Sequence, residues 1–581
     1  VAQGVKNLKL VFNGGRILNG KIRSNNTHCI FNSNEAFVNV EILNQFNNDF
    51  ALPEWFGAKI DGQDGGIGNF SKDDSFAMNQ ALKFASLVKL VGNRTMIIKK
   101  PIIVRTGNTI EADRNFEIKL GDTANCTLLK NEHIDIPHDA VNPVVYPQGF
   151  KRNKNITIRG GIWNGNGLKQ NRADNPDVGD QPDVIGTQRF PDGDTLNFVG
   201  FMMKFADIDD FLMENLTLKN GRTYMVGAGG LTNYVFQNIT MIRTHYIENG
   251  DGIHLHGHCY SGIIQDIKGQ SGDDFVAVTT SEASLLSIRV GDVIGLKIRN
   301  LYHYGLVAGA TISNPQEMTN GIPPLTKTKR CVRLTYTDNV IDDVTIENVR
   351  QYNGDFMVLV VIAYLHLPNF NGINGKVGSV VIKGLKDDNG CSPISVGANT
   401  KVDHITLKDA YIKLEDTVEI PALLRHTDNF GGADQWALTE VGTVVIDNVY
   451  FLKGNTLYAS ADGLVWMVGK LKNLFINNLI VETKSGSSKI KALFSGRINN
   501  VSITNSNIDV TEINSTNGNA TTNLTFRESN NEFNSAVMGV MPKRVITESI
   551  VLSSNPTNPK RGDKILKSDG IYLYTTSWNK L

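Results

Sequence analysis

The sequence predicts an all-β protein, a right-handed single-stranded parallel β-helix, and three observations carry that expectation. The first is a recurring phrase: a turn residue, often Asn or Asp, then alternating β-branched residues, then Gly or Asn. It reads NITIRGGIW from Asn155, ENLTLKN from Glu214, QNITMIR from Gln237, GIIQDIKG from Gly262, GLKIRN from Gly295, DDVTIENV from Asp342, GSVVIKG from Gly378, DHITLKD from Asp403, GTVVIDNV from Gly442, KNLFINNL from Lys472 and NNVSITNSNI from Asn499. The second is spacing, since neighbouring copies lie roughly 22 to 35 residues apart with a few longer gaps, the period of a stacked solenoid. The third is alternation. Ile, Leu and Val take one face of each phrase, Thr, Lys and Asn the other, while Gly or Asn supplies the left-handed corner between strands. A single coil cannot bury its apolar face; stacked coils give every strand parallel neighbours and build one inner aliphatic column. A β-sandwich would instead show tight hairpin turns between successive strands.

Composition narrows the function classes. The 581 residues are 41% hydrophobic and 20% charged, enough apolar material for a packed core and too much for a disordered chain. No apolar run approaches the roughly 20 residues of a membrane-spanning helix, so no membrane insertion is expected. The 58 basic and 58 acidic residues cancel, leaving no basic footprint for nucleic acid. Cys29, Cys126, Cys259, Cys331 and Cys391 are widely spread without zinc-like spacing and are expected to be buried thiols. No cofactor and no metal are expected.

The repeat divides the chain into three regions. Residues 1–95 hold short strands and a helix, 96–547 the β-helix with groove-side loop insertions, and 548–581 a linker and a small C-terminal β-hairpin module. In the first, Asp73 or Asp74 is placed to cap a helix over Ser75 to Leu87, with Phe76, Met78, Ala81, Leu82, Phe84 and Ala85 as its apolar stripe. That helix would close the open end of the solenoid, where an uncovered rung exposes core and strand edge. In the last, Lys564 to Leu566 and Ile571 to Tyr574 would pair across Ser568-Asp569-Gly570. The insertion from Asn164 to Phe198 is too long for a corner and is expected to overhang a binding groove.

The chemistry concentrates between Glu248 and Val278. Aligning Gly250-Asp251-Gly252-Ile253-His254-Leu255 with Gly272-Asp273-Asp274-Phe275-Val276-Ala277 stacks Ile253 over Phe275 and Leu255 over Ala277. His254 and His256 then face outward, towards substrate, and Asp251, Asp273 and Asp274 gather near the strand starts. Three carboxylates so placed repel one another, which raises at least one pKa and yields an acid and a base near neutral pH. Hydrolysis of a glycosidic bond needs that pairing. The bland reading is that these aspartates only cap corners of the coil.

GDGIHL followed one coil later by GDDFVAV resembles the paired active-site strands of the polygalacturonase-like glycoside hydrolases (family 28) of the pectin-lyase-like superfamily. Their pattern is NTDG, then (G/Q)DD, GHG and RIK. The resemblance implies that Asp251 takes the first aspartate and that Asp273 and Asp274 take the pair, Asp273 as general acid and the others as activators of water. Gly250 stands where the pattern has Thr, no GHG follows, His303 in LYHYG takes the place of its histidine, and Arg333 in RCVRLTY that of the RIK arginine. His254, His256, His303 and Arg333 are thereby expected to bind substrate.

A second resemblance is to phage and prophage tailspikes, through NGGRILNGKI, PEWFGAKIDG with its following helix, and the ending TNPKRGDKILKSDGIYLYTTSWNKL. It implies a homotrimer attached to a virion tail, or a secreted protein, that binds and depolymerises a surface glycan. The expected function is therefore an extracellular polysaccharide-degrading glycoside hydrolase. Two competitors share the fold: a polysaccharide lyase, and a non-catalytic glycan-binding tail protein.

Overall fold

A computed structural model describes residues 6–32, 34–64, 72–134, 146–170, 201–246, 250–280, 288–304, 311–312, 328–351, 354–362, 374–387, 392–414, 422–427, 439–454, 463–514, 525–533, 544–547, 550–552, 564–567, 570–574 and 578–580. Two compact units are distinguished, residues 1–291 with 306–326 and residues 292–305 with 327–581. Each is a stack of parallel strands of the β-helix kind, and every copy of the recurring phrase falls in a strand.

In the first unit the long strands Met203–Lys219 and Val226–Ile242 run in parallel register along their whole length, each bent at positions of positive φ. Phe205, Ala228 and Leu255 stack inside, as do Met213, Phe236 and Ile264, all of them buried. The corners stack as well. Asn215, Asn238 and Asp266 each adopt the left-handed conformation, and the Asn238 side-chain amide donates to Asn215 Oδ1 at 2.7 Å. Asn and Asp tolerate that conformation and bond locally, so the turn residues of the phrase are the ones its geometry demands.

The N-terminal strands already belong to this pattern: Lys9–Phe12 pairs in parallel with His28–Phe31, and Ile17–Ile22 with Phe37–Ile42. The helix is shorter than the sequence predicts. It spans Ser75–Phe84, Ala85 is extended, and Leu87 opens the strand Leu87–Leu90, whose alternating burial wins over helical periodicity. Phe76 stands 44% exposed and leaves the apolar stripe. Asp74 occupies the cap position, but its carboxylate accepts the N–H groups of Lys59 and Ile60, while the Ser75 N–H donates to Asp73 Oδ1. The buried face of the helix, with Phe84, joins Phe31, Phe37, Phe46, Trp55 and Phe56 in an aromatic cluster.

The second unit shows the same construction in purer form. Leu296, Val344, Val380, Ile405, Val444, Leu474, Val501 and Phe526 form one unbroken interior column in strand register. A parallel column runs through Ile298, Ile346, Ile382, Leu407, Ile446, Ile476 and Ile503 to Glu528. Glu528 is buried, and neither carboxyl oxygen has a hydrogen-bond partner among the described residues. Burial pushes its pKa well above the usual carboxylate value. An acid whose folded pKa is raised holds its stability below the unfolded pKa and loses it as pH rises. Glu528→Ile, close in volume and matched to its column, is expected to stabilise the protein by about 1 to 3 kcal/mol at pH 7. Urea unfolding measures this, and an isoleucine variant no more stable than wild type would refute it.

Near the C-terminus, Lys564–Lys567 and Gly570–Tyr574 form the expected antiparallel pair, Lys567 facing Gly570, and Trp578–Lys580 adds a third strand the sequence did not signal. Ser568 and Asp569, most of the Asn164 to Phe198 insertion, and Cys391 lie outside the described residues. The other cysteines are buried thiols.

Candidate active site

The site is built on the short strands Ile253–His256 and Val276–Thr279 of the first unit. Their register differs by one residue from the one the sequence suggests. Ile253 pairs with Val276 and Leu255 with Val278, leaving Phe275 just before the pairing. The Gly272-Asp273-Asp274 turn absorbs the additional residue, and its backbone shows how: Gly272 N–H and Gly252 N–H donate to the carbonyls of Gly250 and Asp274. The shift aligns Asp251 with Asp274 rather than Asp273. Gly252 must lack a side chain, because a Cβ there would lie 2.4 Å from the Phe275 carbonyl and 2.7 Å from Met241 Sδ.

Asp251, Asp273 and Asp274 converge as expected. Each offers one carboxyl oxygen, and these oxygens lie within 4.8 Å of one another, a spacing at which they would also reach a single cation. All are largely covered, Asp251 at 2%, Asp274 at 0%, and Asp273 the least covered at 5% exposure. Burial pushes the Asp251 carboxyl up to about 7, opposed by a hydrogen bond from His254 and reinforced by the charges of Asp274 and Asp273. Arg243 lies buried nearby, its guanidinium donating to the carbonyls of Gly221 and Thr223. Burial lowers its pKa to about 10 while Asp251 pulls it up, so it stays cationic and supplies positive charge to the acidic group.

His254 and His256 point away from the interior column, but the expected open row is not found. Both rings are fully buried. His254 Nδ1 lies 2.8 Å from Asp251 Oδ2, the distance of an ion pair, and its Nε2 lies 2.8 Å from Thr279 Oγ1, within hydrogen-bond reach. The rings of His254 and His256 stack at 4.4 Å, Tyr224 meets His254 edge-on at 5.0 Å, and Phe201 reaches His256 at 6.1 Å.

The cover is admitted by glycines. A Cβ at Gly227 would strike the Phe201 ring at 2.4 Å and Ile288 at 2.9 Å, and one at Gly229 would meet the Arg289 backbone at 3.0 Å. Arg289 is buried and ion-paired to buried Asp207 at 2.5 Å, which also accepts the Tyr146 hydroxyl at 2.7 Å. Phe201, Tyr224, Arg243, Thr279, Arg289 and Asp207 were not anticipated from the sequence. The available signal was the run Gly227-Ala228-Gly229-Gly230, since glycine inside a strand marks a close approach by another part of the chain.

His303 and Arg333 belong to the second unit, on strands Val293–His303 and Thr328–Tyr336. His303 is buried, and burial lowers its pKa to about 3, so it is neutral at physiological pH. Arg333 is half-buried. The group assembled within the first unit is therefore the three aspartates with His254 and His256.

No family model matches the chain, and no curated protein matches it in sequence. Solved structures do match in fold. A tailspike protein of E. coli bacteriophage HK620 superposes with a TM-score of 0.50 at 9% identity, covering 81% of this chain and 75% of that one. A family 28 exopolygalacturonase of Yersinia enterocolitica gives 0.45 at 12% identity over 87% and 79%. The catalytic unit of a GH87 alpha-1,3-glucanase from Streptomyces thermodiastaticus gives 0.40 at 11% over 77% and 65%. The fold is a right-handed parallel β-helix. That settles the scaffold on which the aspartates sit; their chemistry has to be argued from the aspartates themselves.

Proposed function

We propose that the chain is a polysaccharide-degrading glycoside hydrolase whose acid and base are drawn from Asp251, Asp273 and Asp274. The observation that carries this reading is the convergence of three buried carboxyls, one of them pushed up to about 7. Carboxyls this close titrate as a set, holding a proton near neutrality where an isolated aspartate has lost it. A shared proton and a neighbouring carboxylate are what hydrolysis of an acetal requires. One group protonates the glycosidic oxygen as its bond to C1 breaks. The other takes a proton from the water that attacks C1, releasing a new reducing end.

Asp273, least covered of the three, is assigned as the acid that meets the leaving group, in keeping with the family 28 resemblance. Asp251, held by His254, keeps the proton available within the set. In the tailspike setting that the entry motifs resemble, the chain acts outside the cell as a homotrimer on a virion tail, and the substrate is a surface glycan.

The test is a screen of wild type and Asp273→Asn against bacterial surface and plant polysaccharides, measuring new reducing ends. Wild type is expected to cleave at least one glycan and the variant to do so about 100-fold more slowly or worse, with unchanged melting. Equal rates would remove Asp273 from the chemistry. Unsaturated products would reassign the reaction to elimination, and tight binding without cleavage would leave a binding protein.

A further inference from the structure

The outer face of the second unit carries a column that the carboxylate site does not use. Tyr302, Arg350, Lys386, Tyr411, Tyr450 and Ile480 occupy successive rungs in strand register, all on the side away from the core. The Arg350 guanidinium sits 5.1 Å from the Tyr302 ring centroid. The Tyr411 and Tyr450 rings stack at 5.2 Å with 5° between their planes. Tyr411 is 40% exposed, and nothing in the packing of the core calls for an aromatic there. Beside the tyrosines, Asp409 and Asn448 turn the corner, and the angle between corner and strand opens a groove of about 370 Å³ lined by Lys386, Tyr411, Tyr450 and Ile480.

We infer that this column is a second carbohydrate site, one that holds an extended acidic polysaccharide along the axis of the second unit. The residue types fit that ligand. Tyrosine offers a sugar an apolar ring for its C–H faces and a hydroxyl for its polar edge, while Arg350 and Lys386 lie between the aromatic rungs to meet carboxylates on the chain. The spacing fits as well. Rungs about 4.8 Å apart over this column span roughly 24 Å, the length of several sugar residues in an extended chain. The rings are already ordered, since the Tyr450 hydroxyl donates to Glu482 at 2.6 Å and Tyr411 is stacked upon it, so little side-chain entropy is lost when a ligand arrives. Exposed Tyr411, stacked on half-buried Tyr450, presents an aromatic face to solvent beside the groove.

The inference shares only the class of ligand with the hydrolase reading, and a protein that never cleaves would keep the column. Its test therefore uses the full chain carrying Asp273→Asn, run by affinity electrophoresis in gels containing polygalacturonate, hyaluronate or neutral dextran. Retardation is expected in the two acidic gels and not in dextran. Adding Tyr411→Ala is expected to weaken it about tenfold and Lys386→Glu at least as much. Lys472→Glu, the same charge change at an exposed lysine off the column, is expected to leave it intact. Absence of retardation in both acidic gels overturns the inference, as does equal weakening by Lys472→Glu. Sedimentation supplies the last outcome: a Tyr411→Ala protein that changes oligomeric state while keeping its retardation makes the column a contact between copies of this chain instead.

Discussion

Asp207→Ala is expected to remove about 3 to 5 kcal/mol of stability, more than any other single change considered for the first unit. Asp207 and Arg289 are both buried, and the aspartate takes two bonds from the guanidinium, at 2.9 Å from Nε and 2.5 Å from an Nη. Alanine leaves the cation with the His133 and Ile288 carbonyls for company and no counter-charge at bonding distance except by rearrangement. It also places a side chain that bonds to nothing at φ +57, a conformation that asparagine and aspartate tolerate and alanine does not. Asp207→Asn keeps the backbone and one acceptor and is expected to cost less. The double variant Asp207→Asn with Arg289→Met removes both charges, and its loss is expected to be smaller than the sum of the single losses, because most of the single-variant penalty is the stranded charge. Urea unfolding of the four proteins measures the coupling. An Asp207→Ala protein within about 1 kcal/mol of wild type would mean that the pair does not hold residues 288–291 over Gly227 and Gly229.

How much of this was legible beforehand depends on whether the information is periodic. The interior columns were, because Leu296 and its successors repeat with the phrase, and a periodic apolar face has few ways to be buried. The convergence of the aspartates was legible for the same reason, being two copies of one strand start. The register was not: a turn such as Gly272-Asp273-Asp274 can hold one residue more or less without any change in hydrophobic pattern, and only the backbone hydrogen bonds decide. The exposure of His254 and His256 was not legible either. Alternation says which side of a strand a residue takes, but not what else lies on that side, and here Phe201 and Arg289 arrive from distant coils. Helix length failed at Ala85 because Leu87 and Val88 serve both patterns until strand pairing with Thr109 and Ile110 settles the matter.

Stability and pH should be linked through Asp251. Its carboxyl titrates near 3.8 in an unstructured chain and is pushed up to about 7 in the folded one, mainly by burial. The folded state therefore keeps a proton that the unfolded state releases. Its stability contribution is complete below about pH 4 and is lost progressively as pH rises towards 7. The expected loss across that window is on the order of 2 to 4 kcal/mol. Asp251→Asn removes the titration while keeping a polar side chain of the same size beside His254 Nδ1, so the variant should match wild type near pH 4 and exceed it above pH 7. Unfolding midpoints from pH 4 to 8, with a chelator present to exclude bound cations, measure this. If the two proteins keep a constant difference throughout, unfolding changes no proton at Asp251 between pH 4 and 8, and the raised carboxyl is refuted. The same variant should lose glycan cleavage, and that combination is the physical signature of a functional site: a carboxyl held where the fold would be more stable without its charge, because the reaction needs its proton.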